Sequence, residues 1–119
     1  MTSPPDEPEA GPPTEFDEYA LVLLVRGPRA RQYDGTDEGA ALQRKHLGHL
    51  EAMRQRGLML AAGPFIDQPD ETWRGMCVYR VPLDEAQRLA REDPAVVAGR
   101  LDIITLTWMT RKGALRGAG

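Results

Sequence analysis

Residues 36–64, TDEGAALQRKHLGHLEAMRQRGLMLAAGP, hold a complete helix-to-strand transition. Thr36 is a good helix cap, Asp37 and Glu38 place negative charge where the helix dipole favours it, and Gly57 is positioned to end the helix. At about 100° per residue, Leu42, Met53, His46 and Leu50 fall in that order round an arc of roughly 80°. His46 therefore lies in the middle of the apolar face and points inward. Residues 58–62 (LMLAA) are a short apolar run that reads as a strand, stopped by the Gly63-Pro64 turn.

Working outward, residues 19–26 (YALVLLVR) read as a strand ended by Gly27-Pro28. The run has no apolar/polar alternation, so both faces should be buried. Residues 75–81 (GMCVYRV) are a third strand, with Tyr79 and Arg80 on opposite faces. After Pro82, residues 83–92 (LDEAQRLARE) put Ala86, Leu89 and Ala90 at helical spacing behind Asp84 and Glu85, which makes a second helix. Asp93-Pro94 can open a further short helical turn, PAVVA, ended by Gly99. Residues 101–109 (LDIITLTWM) form the last strand, with Ile104, Leu106 and Trp108 on one face and Leu101, Ile103, Thr105 and Thr107 on the other.

The resulting order, βαββαβ, is the α+β ferredoxin-like arrangement: a four-stranded antiparallel sheet with two helices on one face. Because the first strand is apolar on both sides and the last keeps Leu101 and Ile103 on its second side, the bare face needs a cover. A homodimer with sheets packed face to face, a dimeric α/β barrel, is the expected solution.

With 119 residues, the chain suffices for one domain. Residues 1–17 are rich in proline and acid and read as a disordered leader, residues 18–110 as the domain, and residues 111–119 as a flexible tail. A formal charge of −3 gives no footprint for nucleic acid. Cys77, the only cysteine, excludes an intrachain disulfide and a cysteine-rich zinc site, and reads as a small apolar strand residue. The apolar stretches fall short of a membrane span, and no basic-then-apolar leader is present, so neither membrane association nor export is expected and the cytoplasm is the default location. Phosphate loop, dinucleotide fingerprint and serine-nucleophile elbow are all missing, so no cofactor is expected.

Chemistry is carried by His46 and Asp93. A neutral imidazole can abstract a proton near pH 7, and a carboxylate on its other nitrogen fixes the tautomer and stabilises the imidazolium. The two residues are 47 positions apart, but the two helices lie side by side in this fold. Asp93 is equally a helix cap, a role compatible with orienting an imidazole, and His46 can equally be a buried histidine satisfied by a partner. His49 falls at the edge of the apolar face. The i, i+3 spacing of the histidines is not the helical zinc pattern, so no metal is expected. Gly63 and Pro64 would open the loop beside a pocket, with Asp67 and Asp70 as rim residues. Three classes remain: an enzyme using His46 as base, a ligand-binding module, and a dimeric interaction protein.

The segments Lys45-His46-Leu47-Gly48-His49-Leu50, Gly57-Leu58-Met59-Leu60-Ala61-Ala62-Gly63-Pro64, Asp84-Glu85-Ala86, Asp93-Pro94 and Gly99, in this order and spacing, resemble the YCII-related (YciI-like) family. The resemblance runs from about residue 19 to 109. It implies a dimeric α/β barrel whose active site is built around a histidine on the first helix and an aspartate after the second, which land on His46 and Asp93. It also implies small organic substrates of aromatic or quinone-like kind, because some relatives are lyase-type dehydrochlorinases of degradative pathways and the fold resembles that of muconolactone isomerases. The expectation is a cofactor-independent lyase or isomerase with a His-Asp acid/base pair, catalytic at His46 and Asp93 and binding substrate near Gly63, Pro64 and Asp67. The alternative is a non-catalytic small-ligand-binding or dimeric interaction module.

Overall fold

The computed structural model describes residues 15–115, and the rest of the expected leader and tail lies outside the described residues. The elements, in chain order, are β1 (Phe16–Arg26), α1 (Ala30–Tyr33), α2 (Asp37–Gln55), β2 (Met59–Pro64), β3 (Trp73–Tyr79), α3 (Leu83–Arg91), α4 (Pro94–Val97) and β4 (Leu101–Arg111). The strands form one antiparallel sheet in the order β2-β3-β1-β4. This is the expected ferredoxin-like α+β fold, with α1 as an addition that the hydrophobic pattern does not signal.

Helix α2 is delimited as its sequence predicts. Thr36 Oγ1 accepts a hydrogen bond from the Gly39 amide at 2.9 Å. At the other end Gly57 takes a positive φ of 74°, and Leu58 N–H donates to the Met53 carbonyl while Gly57 N–H donates to that of Arg54. Those two bonds form a Schellman closure, which glycine favours because it has no Cβ to resist the left-handed conformation.

β1 and β4 pair along their full length, from Phe16 opposite Arg111 to Arg26 opposite Leu101. β1 thus begins before residue 18 and β4 reaches past residue 110, because each strand supplies the backbone partner that the other's polar end residues need. Hydropathy does not register such pairing. β3 ends at Tyr79, two residues earlier than expected, and Arg80 lies beyond the strand, where its amide donates to the Leu58 carbonyl.

The core lies between the sheet and the helices. Val22 and Leu24 of β1, Cys77 and Tyr79 of β3 and Ile103 of β4 pack against Met53 of α2 and Ala86, Leu89 and Ala90 of α3. The opposite face carries Leu21 and Leu23 in register with Met76 and Val78 on one side and with Ile104 and Leu106 on the other. Ile104, Leu106 and Trp108 are exposed there. This corrects the expected assignment for β4: Leu101 and Ile103 turn toward the helices, and the bare face is made by Ile104, Leu106 and Trp108. Both sides of β4 are apolar, so hydropathy could not choose between them; its register with β1 does. Among the described residues, no helix is long and apolar enough to cross a membrane.

Candidate functional site

His46 and Asp93 meet. The Asp93 Oδ2 atom lies 2.6 Å from His46 Nδ1, and both side chains are buried, at 6% and 2% residue exposure. The contact joins the middle of α2 to the residue that caps α4. Asp93 Oδ1 accepts from the Ala95 amide at 2.9 Å, so the carboxylate caps a helix with one oxygen and holds an imidazole with the other. With a carboxylate as its partner, Nδ1 is the nitrogen that carries the proton, leaving Nε2 as the basic atom.

Behind the pair, Cys77 and Tyr79 occupy the sheet. Burial, and then the nearby Asp93 charge, push the Cys77 thiol up to about 12, and burial likewise raises the Tyr79 phenol. Neither group ionises near neutral pH, so Cys77 is the apolar strand residue it was expected to be.

In front of His46 lies a cavity of about 290 Å³. From α2 it is lined by Gln43, His46, Leu47 and Leu50; from β2 by Ala62, Gly63 and Pro64; and from β3 by Arg74 and Gly75. Leu24, Arg100 and Leu101 complete the wall. The volume lies just below the usual range for small-molecule sites, about 300–1,000 Å³. Gly75 is required where it sits, because a Cβ there would come within 2.6 Å of the Gly63 carbonyl oxygen.

Of the expected substrate contacts, Gly63 and Pro64 line the cavity and Asp67 does not. Asp67 lies exposed in the loop beyond Pro64 and is outside the wall, because the strand continues through Pro64 and carries the loop away. Asp70 is engaged in that loop's own turn, accepting from the Thr72 amide at 2.7 Å. His49 also lies outside the cavity wall, with its Nε2 buried and without a partner among the described residues.

Two cavity residues carried no signal in the sequence, Arg74 and Arg100. Arg74 precedes Gly75 on β3, and Arg100 follows Gly99, whose φ of 81° turns the chain into β4. Arg100 Nη1 donates to the Gly39 carbonyl at 3.0 Å, bracing its guanidinium against the start of α2. Isolated arginines in a polar chain have no periodicity, and only tertiary register brings these two together.

The sequence model of the YCII-related domain matches residues 19–109. No curated protein matches the chain. Among solved structures, the fold is similar to 5-chloro-2-hydroxyhydroquinone dehydrochlorinase (TftG) from Burkholderia phenoliruptrix AC1100 in complex with 2,5-dihydroxybenzoquinone, at a TM-score of 0.50 and 18% sequence identity. That alignment covers 76% of this chain and 92% of the other.

Proposed function

Because the chain belongs to the YCII-related family, we propose that it is a cofactor-independent lyase or isomerase acting on a small hydroxylated aromatic or quinone-like molecule, with His46 as general base and Asp93 as its orienting partner. The observation that carries the reading is the buried 2.6 Å contact between Asp93 Oδ2 and His46 Nδ1, beside a cavity that His46 helps to line. Nε2 takes a proton from a carbon or hydroxyl of the bound ring, and Asp93 stabilises the imidazolium that forms. In a lyase the released electron pair expels a leaving group; in an isomerase it is reprotonated elsewhere on the same molecule. The dehydrochlorinase likeness favours the lyase branch as the first to assay. The exposed apolar sheet face supports a homodimer as the working form.

The test is turnover of a panel of halogenated and hydroxylated aromatics, beginning with 5-chloro-2-hydroxyhydroquinone and following chloride release. His46→Gln should fold normally and lose about 10² to 10⁴-fold in turnover, the usual scale of acid/base catalysis. Asp93→Asn should also impair turnover, since the amide can favour the wrong imidazole tautomer, while its folding cost stays small because asparagine still caps. Full activity in His46→Gln would remove the base, and full activity in Asp93→Asn would return Asp93 to capping alone.

A further inference from the structure

The cavity in front of His46 has an uneven charge. Arg74 and Arg100 both line it, and none of the lining residues is acidic. Asp93, the nearest carboxylate to His46, is sequestered behind the imidazole. Among the described residues, neither Arg74 nor Arg100 has a carboxylate oxygen within 4.0 Å. The acidic group that both influence is Asp34, whose carboxylate is held below its ordinary range first by its hydrogen bond to Arg26 and more weakly by the charges of Arg100 and Arg74. Arg26 binds Asp34 directly at 2.9 Å. Arg26 is thus ion-paired with Asp34, and the two guanidiniums that face the cavity have no such pair among the described residues.

Two half-buried guanidiniums with no directly paired carboxylate among the described residues, beside leucine walls, make a poor site for a neutral or cationic molecule. Desolvating them without an anion is unfavourable, whereas a planar oxyanion satisfies their forked donors. Leu24, Leu47, Leu50 and Leu101 meanwhile offer apolar contact to the faces of a ring. Resting on the proposed His46 chemistry, we propose that the substrate enters as an anion, a conjugated ring bearing an ionised enol, phenol or carboxyl oxygen, and that Arg74 and Arg100 bind that oxygen and set the specificity. This places the anionic oxygen at the arginine side and leaves the proton to be removed at the His46 side. The positive charge also stabilises the electron-rich species formed when the base takes its proton, since charge then builds on the same conjugated oxygen.

The experiment is calorimetric binding of two charged probes and their neutral counterparts: 2,5-dihydroxybenzoquinone, which is anionic at neutral pH, against its dimethyl ether, and benzoate against benzamide. The charged member of each pair should bind at least about 10-fold more tightly. Arg74→Gln and Arg100→Gln should each weaken the anions by about 10- to 100-fold, the scale of a lost charged hydrogen bond, and leave the neutral probes unchanged. Arg100→Lys, which keeps the charge but not the fork, should fall between. Preference for dihydroxybenzoquinone over benzoate would mark an enolate-type oxygen, and the reverse a carboxylate. The proposal is overturned if neither anion binds at millimolar concentration, if the neutral members bind as well, or if both glutamine variants bind anions at wild-type affinity. The two readings fail separately: arginine-dependent anion binding by wild-type protein that turns over none of the aromatic panel would overturn the base and leave the anion site standing, whereas turnover with no arginine-dependent binding would do the reverse.

Discussion

Cys77 illustrates how much a single buried group can bias the molecule. Its neighbours on the helix side of the sheet hold it at 1% exposure, and burial, with Asp93 nearby, lifts the thiol from an ordinary 9.0 to about 12. The unfolded chain gives up this proton near pH 9 while the folded chain keeps it. The folded state then binds more protons, so stability is fully present below pH 9 and declines as pH rises toward about 12. Tyr79, raised in the same way, adds to the decline only above its ordinary 10.0. Between pH 9 and 10 the thiol therefore dominates, and Cys77→Ala should flatten the fall of the urea midpoint in that window. Equal slopes in the two proteins would show that the thiol titrates alike in both states.

At the scale of elements, the contact of β2 with β3 beside the cavity depends on glycine. Gly75→Ala would force its Cβ against the Gly63 carbonyl at 2.6 Å and the Pro64 Cα at 3.1 Å, both backbone atoms that cannot rotate aside. We expect a loss of about 1–3 kcal/mol in stability and a weakened ligand site. Gly48 on α2, by contrast, has nothing within 4 Å of the point where a methyl group would sit, so Gly48→Ala should stabilise by up to about 1 kcal/mol through helix propensity. Denaturant titration of the two variants checks both signs; an unperturbed Gly75→Ala would mean that β2 and β3 separate freely there. The same elements show what hydropathy can and cannot convey. The α2 helix was legible because its cap, its closure and its apolar arc all agree, and the capping sequence Asp93-Pro94 fixed a carboxylate at the start of α4. The pairing of His46 with Asp93 came from the family resemblance and from an expected neighbourhood of the first and second helices, whereas it is α4, opened by Asp93, that packs against α2. The orientation of β4, the ends of β1 and the convergence of Arg74 with Arg100 were not legible, because each is decided by backbone register between strands distant in sequence.

For the whole molecule, the sheet face opposite the helices carries exposed apolar side chains. Leu106 is 48% and Trp108 37% exposed, and the Tyr19 ring lies 6.1 Å from that of Trp108, extending the apolar surface along β1. A second copy of the chain is the proposed cover. Sedimentation velocity should show a dimer at tens of micromolar protein, and Leu106→Asp should give a folded monomer, since Leu106 takes no part in the core. A wild-type monomer under those conditions would leave the face uncovered and overturn the dimer.

The pairing of β1 with β4 also brings the two ends of the described domain side by side. Lys112 N–H donates to the Glu15 carbonyl at 3.1 Å, its ammonium lies 3.0 Å from the Glu15 carboxylate, and Gly113 N–H reaches Asp17 Oδ2 at 2.8 Å. The described domain is consequently close to a closed ring, its two ends tied by these three contacts. Any segment attached before Glu15 shares its point of anchorage with any segment attached after Lys112. Tension applied at Glu15 and Lys112 would therefore pull across the β1–β4 seam one hydrogen bond at a time, like a zipper, instead of shearing the whole ladder at once.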